Sequence, residues 1–78
     1  MIAIAYFHYD TLRSDISVFE GKDDAKKWLF EKCGWILDDG MNPTSLEELI
    51  SELSDKNVTV NLAIYYDINN EIIITNKK

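Results

Sequence analysis

Residues 58 to 67 alternate apolar and polar side chains with a period of two, and this alternation most constrains the fold. Val58, Val60 and Leu62 would lie on one side of an extended segment, and intervening residues such as Thr59 on the other. Successive side chains of a strand point to opposite faces, so the pattern predicts a strand with one packed face and one wetter face. Such a strand needs partner strands and a layer that covers its apolar side.

Three further segments have strand character. Residues 2 to 9 are apolar on both faces, which predicts a central strand. The polar stretch from 10 to 15 predicts a turn that leads into a short second strand at residues 16 to 20. Residues 69 and 70 are both asparagine, which tolerates the positive φ of a two-residue hairpin loop. Residues 71 to 75 are therefore predicted to return as a fourth strand.

The first of two amphipathic helices is predicted after Gly21. Its apolar positions recur at intervals of three and four and form one stripe: Ala25, Trp28, Leu29 and Cys33. Gly34 is a natural residue to end this helix, because glycine is favoured just past a helix C-terminus. The apolar run that follows, residues 35 to 37, fits either a last helical turn or an extended segment, and periodicity leaves both open.

The second helix is predicted to begin near residues 43 to 45. Either Asn42 caps it with Pro43 at the first helical position, or Thr44 caps it with Glu47 as a capping box. Its apolar stripe is Leu46, Leu49, Ile50 and Leu53.

Together these elements predict one domain over residues 1–78, because a chain of 78 residues can close only one hydrophobic core. We expect an α+β two-layer sandwich of order ββααββ, in which a four-stranded antiparallel sheet carries both helices on one face. The second sheet face is more apolar than a solvent-facing surface requires. If the chain itself leaves this face uncovered, it is a candidate surface for a partner or for dimerisation.

Six carboxylates and no lysine or arginine lie between residues 33 and 55. The six are Asp38, Asp39, Glu47, Glu48, Glu52 and Asp55. The rest of the chain has equal numbers of acidic and basic residues, so this stretch accounts for the whole formal charge of −6. One interpretation is a solvated helix face that keeps a small protein in solution. The other is a directional negative field that meets a basic surface on a partner.

Catalytic and metal motifs are weak in this sequence. His8 with Asp10 and Asp15 could make a small metal-dependent hydrolase, since carboxylates near strand ends can hold magnesium. A histidine hydrogen-bonded within a strand and turn aspartates used for backbone reasons explain the same residues. Cys33 is expected to be a buried structural thiol rather than a nucleophile, because it lies at a helix C-terminus. We expect no enzyme activity, no metal and no cofactor.

A non-enzymatic protein-binding module, an inhibitor or regulator, is therefore the leading hypothesis. Its acidic helix would meet a basic, nucleic-acid-handling protein, with Trp35, Leu37 and Met41 as candidate apolar anchors. Simple core packing is the competing interpretation of those three residues. A homodimer built through the free sheet face or by edge pairing of a terminal strand is the alternative.

In size and charge the chain resembles the small acidic proteins that phages make to block host defence nucleases or transcription machinery, including anti-restriction and anti-CRISPR proteins. The resemblance lies in the general character of the whole chain and implies nucleic-acid mimicry. An acidic balance, with a pI near 4.5, also disfavours direct nucleic-acid binding. One unpaired cysteine and no signal-peptide or membrane segment lead us to expect a cytoplasmic protein.

Overall fold

The computed structural model of the protein describes residues 1–64, which form an antiparallel sheet with two helices on one side. The strands are β1 (Ile2–His8), β2 (Arg13–Phe19) and β3 (Val58–Ile64), and the helices are α1 (Lys22–Cys33) and α2 (Leu46–Ser54). The α+β class is thus confirmed, and the described elements follow the order ββααβ of the predicted ββααββ. The predicted bounds of the second strand, 16 to 20, are wrong, because β2 already pairs with β1 from Arg13 onwards. The predicted loop at 69–70 and the predicted fourth strand at 71–75 lie outside them.

The strand order is β2-β1-β3, so β1 is central, as its two apolar faces predict. At the end of the β1–β3 ladder, the Tyr9 N–H donates to the Asn57 carbonyl at 3.0 Å. Backbone N–H and C=O groups alternate direction along an antiparallel strand. Since odd-numbered Tyr9 bonds towards β3, the even-numbered residues of β1 bond towards β2. Even-numbered Tyr6 is paired with Asp15, so the odd-numbered residues of β2 bond towards β1 and the even-numbered ones direct their amides away from it. Ile16 is one of them.

The core lies between the helices and one face of the sheet. Every second residue of β1 and β3 is buried there, including Ile4 and Leu62. From the helix layer, α1 contributes Ala25, Leu29 and Cys33, and α2 contributes Leu46, Leu49 and Leu53. These side chains form one cluster, which confirms both predicted stripes and the two-layer arrangement.

Trp28 anchors α1 on the sheet. Its indole lies edge-on to Tyr6, with ring centroids 5.8 Å apart, and tilted against Phe19 at 5.6 Å. At the end of α1, Gly34 has φ −59, so it does not adopt the left-handed conformation for which glycine was predicted. A Cβ at this position would lie 3.2 Å from the Phe30 ring, a tight contact that a larger residue could make only if that ring moved by a few tenths of an ångström.

A single 3-10 turn, Gly34–Ile36, continues from α1 and settles the segment for which periodicity left two conformations open. Leu37 is then extended and buried, which turns the chain towards the second helix. The turn leaves Trp35 outside the core at 62% exposure. The 3-10 turn thus places Trp35 on the surface, although it directly follows the helix whose apolar stripe is buried.

The second helix starts later than either predicted cap, three residues after Asn42 and one residue after Thr44. Ser45 is the N-cap, and its hydroxyl accepts the Glu48 N–H at 3.1 Å. The two predicted caps, Asn42 and Thr44, are therefore wrong, although the capping-box spacing is present one position along, from Ser45 to Glu48. Of the helices in residues 1–64, none combines the length and apolar character needed to cross a membrane.

The sheet face opposite the helices is uncovered by any other described element. Its nine outward positions form a regular grid of three residues on each strand: Ala3, Ala5 and Phe7 on β1, Ser14, Ile16 and Val18 on β2, and Thr59, Asn61 and Ala63 on β3. We call this grid the open face. None of the nine residues carries a charge, although 28% of the chain is charged.

Candidate functional site

His8 is a buried residue at the end of the central strand β1. It is 4% exposed at the last position of β1, and its Nδ1 lies 2.8 Å from the Thr11 hydroxyl. Its Nε2 lies 3.6 Å from an Asp10 carboxylate oxygen, and its ring meets the Trp35 ring edge-on at 5.6 Å. The imidazole therefore ties the β1–β2 turn to the segment after α1.

Trp35 is held in place although most of its ring is exposed. Its indole N–H donates to the Lys32 carbonyl at 3.0 Å, and one side of the ring rests against His8. Of the three candidate anchors, Leu37 is buried and Met41 is half-buried against the core. Trp35 alone of the three presents a large apolar surface, and its local contacts lower the entropy cost of binding through it.

The carboxylates at the start of α2 are largely occupied within the fold. Glu47 pairs with Lys22 at 2.8 Å, which links the two helices. Glu48 accepts a hydrogen bond from the Thr44 hydroxyl at 3.0 Å. Negative charge at a helix N-terminus also stabilises the helix dipole. Both residues therefore stabilise the fold through their own contacts.

A second set of carboxylates meets at the end of α2. Lys56 donates to Asp38 at 2.9 Å, which brings the turn over residues 38–41 beside the helix end. Asp55 is the C-cap residue of α2 and directly precedes Lys56. An Asn57 amide N–H donates to Asp10 at 3.4 Å, so the β1–β2 turn reaches the same place.

We call this surface the acidic end and define it as Asp10, Trp35, Asp38, Asp39 and Asp55. The contacts of His8, Lys56 and Asn57 connect it. Asp39 and Asp55 are exposed, and Asp55 lies at the helix C-terminus, where the dipole disfavours a carboxylate. Sequence patterns assigned Asp10 only to the hydrolase alternative. Asp10 belongs to the acidic end because it contacts Asn57, which lies 47 positions later in the sequence. Local sequence patterns do not predict a contact over that distance.

Glu52 differs from its neighbours on α2. It is half-buried, and its Oε2 atom is shielded from solvent without a hydrogen-bond partner in the part of the chain that the structure describes. The predicted wet face of α2 is thus uneven. Glu47, Glu48 and Asp55 are exposed, and Glu52 is partly withdrawn.

The three residues of the hydrolase alternative do not form one constellation. Asp15 lies opposite Tyr6 on β2, where its carboxylate accepts the Ile16 N–H at 2.8 Å and lies 3.8 Å from Lys32. His8 faces Asp10 instead. Within residues 1–64, no group of three histidine, cysteine or carboxylate side chains could hold a metal ion.

The Cys33 thiol is buried, and burial raises its pKa to about 11. A thiol of this kind is protonated at neutral pH and is a poor nucleophile. Burial, and secondly the charges of Cys33 and Asp15, also raise the pKa of Tyr6.

A shallow groove of about 300 Å³ runs between α1 and the segment before α2, and Lys26, Lys27, Phe30 and Pro43 are among its lining residues. None of the predicted partner-binding residues lines it.

No family model, curated protein or solved structure matches this chain.

Proposed function

We propose that this protein is a non-enzymatic binding module, an inhibitor or regulator that occupies the basic surface of a nucleic-acid-handling protein. The interface comprises the residues selected from sequence together with Asp10: Asp38, Asp39, Glu47, Glu48, Glu52, Asp55, Trp35 and Met41. The chain acts by imitating nucleic-acid charge, in the manner of phage anti-defence proteins, and it works in the cytoplasm.

The exposed indole of Trp35 among carboxylates carries the proposal. Interfaces commonly have an aromatic residue near their centre and polar residues at the rim. Trp35 is 62% exposed and fixed by its hydrogen bond to Lys32 and its ring contact with His8. Asp10 lies 3.6 Å from that same His8, so the apolar anchor and the negative rim belong to one surface.

The net charge of the chain indicates which class of partner it binds. The formal charge of −6 disfavours polyanions and favours a partner rich in lysine and arginine. Complementary charge steers encounter and raises the association rate, and salt weakens this effect. Within the acidic end, Asp10 and Asp38 have side-chain partners, whereas no such partner is described for Asp39 and Asp55, so these two are available for this role.

The experiment is a pull-down from lysate of the native host with the tagged full chain, eluted in steps of increasing salt and analysed by mass spectrometry. The test variant is the double substitution Asp39→Lys and Asp55→Lys. The matched control is Asp23→Lys with Asp24→Lys in the first turn of α1. Each pair replaces two negative charges by two positive ones and changes the net charge from −6 to −2.

The proposal expects the wild type and the control to capture the same basic protein, which is released in the salt steps. The test variant, and separately Trp35→Ala, should lose it. If both charge-reversed pairs lose the partner equally, net charge alone governs binding and the acidic end has no special role. If both charge-reversed variants retain the partner, the carboxylates do not contribute to binding.

We also propose that residues 71–75 form a fourth strand beside β3, which would complete the four-stranded sheet. In its support, β3 has a strand neighbour on one side only among residues 1–64. Slow amide hydrogen exchange at residues 72–74 would support this pairing, and exchange at the rate of a free peptide would refute it.

A further inference from the structure

The imidazole of His8 is a buried group that can carry a charge, and it lies directly beneath the acidic end. Its exposure of 4% is comparable with that of Ile2 in the core, at 5%. Histidine is the side chain whose charge ordinarily changes between pH 5 and 8. The chain has one histidine, so a side-chain charge that changes in this interval can be assigned to a single residue.

The surroundings of the imidazole offer an acceptor to each of its two nitrogens. The Thr11 hydroxyl lies 2.8 Å from Nδ1, and a carboxylate oxygen of Asp10 lies 3.6 Å from Nε2. A hydroxyl can donate to a neutral imidazole and accept from a charged one, whereas an ionised carboxylate can only accept. A protonated His8 therefore keeps both partners, and its attraction for Asp10 would shorten the contact of 3.6 Å to a charged hydrogen bond.

The Asp10 carboxylate connects the imidazole to the surface. Its Oδ2 atom faces His8, and its Oδ1 atom accepts the Asn57 amide N–H at 3.4 Å. Asn57 directly follows Lys56, the residue that holds Asp38. The Asp10 side chain is 64% exposed, so its charge acts on the solvent as well as on the ring. A proton on His8 would compensate this charge and reduce the negative charge of the acidic end by one.

The other charged groups at this end of the sheet do not contact the imidazole through a described ion pair. Arg13 is opposite His8 in the β1–β2 register, and its positive charge acts on an imidazolium in the opposite direction to that of Asp10. The residue opposite His8 on β3 is Val58, which is uncharged. The helix layer and its connecting segment contribute the remaining titratable groups of this end: Lys32, Cys33, Asp38, Asp39, Asp55 and Lys56. Both lysines among them are already paired with carboxylates.

We infer that His8 is a proton sensor for the acidic end. When the imidazole is neutral, Asp10 contributes its full charge to the surface around Trp35. When the imidazole is protonated, the two charges cancel and the surface attracts a cationic partner less. The Trp35 ring centroid lies 5.6 Å from that of His8, so the apolar anchor is also within range of the new charge. This inference rests on the proposed function, because it concerns the affinity of the same surface for a basic partner.

A coupling of this kind must be reciprocal. If a proton on His8 weakens the binding of a cation to the acidic end, the bound cation weakens the binding of the proton by the same factor. The loss of one charge from an exposed surface of this kind changes affinity roughly two- to fivefold.

The test is NMR spectroscopy of the full chain with tetralysine as a cationic probe, at pH 7.5 and pH 5.5. At pH 7.5 tetralysine should shift the amide signals of Asp39 and Asp55 and the indole N–H signal of Trp35. At pH 5.5 its dissociation constant should be roughly two- to fivefold higher. Saturating tetralysine should also move the titration of the His8 ring signals to lower pH, which a purely structural role of His8 would not produce.

Two variants and a matched control locate the effect. His8→Gln keeps a polar side chain but cannot take up a proton, so its affinity for tetralysine should be nearly equal at the two pH values. Asp10→Asn removes at pH 7.5 the charge that the proton compensates in the wild type at pH 5.5, and should weaken binding by a similar factor. Asp24→Asn, in the first turn of α1, is the control and should leave the affinity nearly unchanged.

Equal affinity of the wild type at both pH values would overturn the inference. The same pH dependence in His8→Gln would also overturn it, because the carboxylates themselves would then be responsible. A third contrary result needs no variant: His8 ring signals that show no proton uptake down to pH 5.5, while circular dichroism shows a folded chain. The proposed function is judged separately, since a lysate pull-down that captures no basic protein refutes that partner and not the pH response of tetralysine binding.

Discussion

The indole of Trp35 stands edge-on to the imidazole of His8, with the two ring planes 78° apart. One ring is almost fully buried and the other is mostly exposed, so the pair connects the core with the surface. Trp28 belongs to the apolar stripe of α1 and packs against Tyr6 and Phe19 instead. The chain thus uses its two tryptophans for different purposes.

This difference predicts unequal costs of truncation. Trp28→Ala should lower the free energy of unfolding by about 3 kcal/mol, because it leaves a cavity between sheet and helix. Trp35→Ala should lower it by less than about 1 kcal/mol, because its ring is largely in solvent already. Urea titrations of both variants against the wild type measure the difference. Equal losses would mean that Trp35 serves the core and not a partner.

The N-cap of α2 makes a second prediction. Ser45→Ala removes the acceptor of the Glu48 N–H and should lower the free energy of unfolding by about 1 kcal/mol. Ser51→Ala, at an exposed site inside the same helix, is the control and should change stability by no more than about 0.5 kcal/mol. Thermal or urea unfolding of the two variants suffices. A loss at Ser51 as large as that at Ser45 would contradict the capping role.

Leu12 has a φ of 59 in the β1–β2 turn and is 74% exposed. A left-handed conformation is costly for leucine and free of strain for glycine, so Leu12→Gly should raise the free energy of unfolding by roughly 0.5 to 1 kcal/mol. Leu12→Ala retains the Cβ and should give no such gain. A loss of stability in the glycine variant would show that the leucine side chain supports the turn through its contacts.

Alkaline pH should weaken the fold through Cys33. Burial raises the pKa of its thiol from 9.0 to about 11, so between these values the folded state keeps a proton that the unfolded chain has lost. The stabilisation is therefore complete below pH 9 and disappears as the pH rises towards 11, by up to about 3 kcal/mol. Urea titrations at pH 8 to 11 should show a smaller decline for Cys33→Ala. Identical declines would assign the pH dependence to other groups, of which Tyr6 is one.

The periodicity of apolar residues predicted the strands and helices, because the burial of one face of an element requires apolar residues at regular intervals. The alternation from Val58 and the stripe from Leu46 both report which side of an element lies against the core. The exposure of Trp35 was beyond such patterns, because a 3-10 turn rotates the chain after α1. The convergence of Asp10 with Asp38 was equally hidden, since contacts of Asn57 and Lys56 create it in three dimensions.

The carboxylate of Asp15 on the Ile16 amide has a consequence for aggregation. Among the described residues β2 is an edge strand, and the Ile16 amide is directed away from β1. An approaching strand would have to displace the carboxylate to pair at this position, and a charged group on an edge strand is a common protection against strand addition. The side chain at residue 15 thus limits the joining of one copy to the next along this edge.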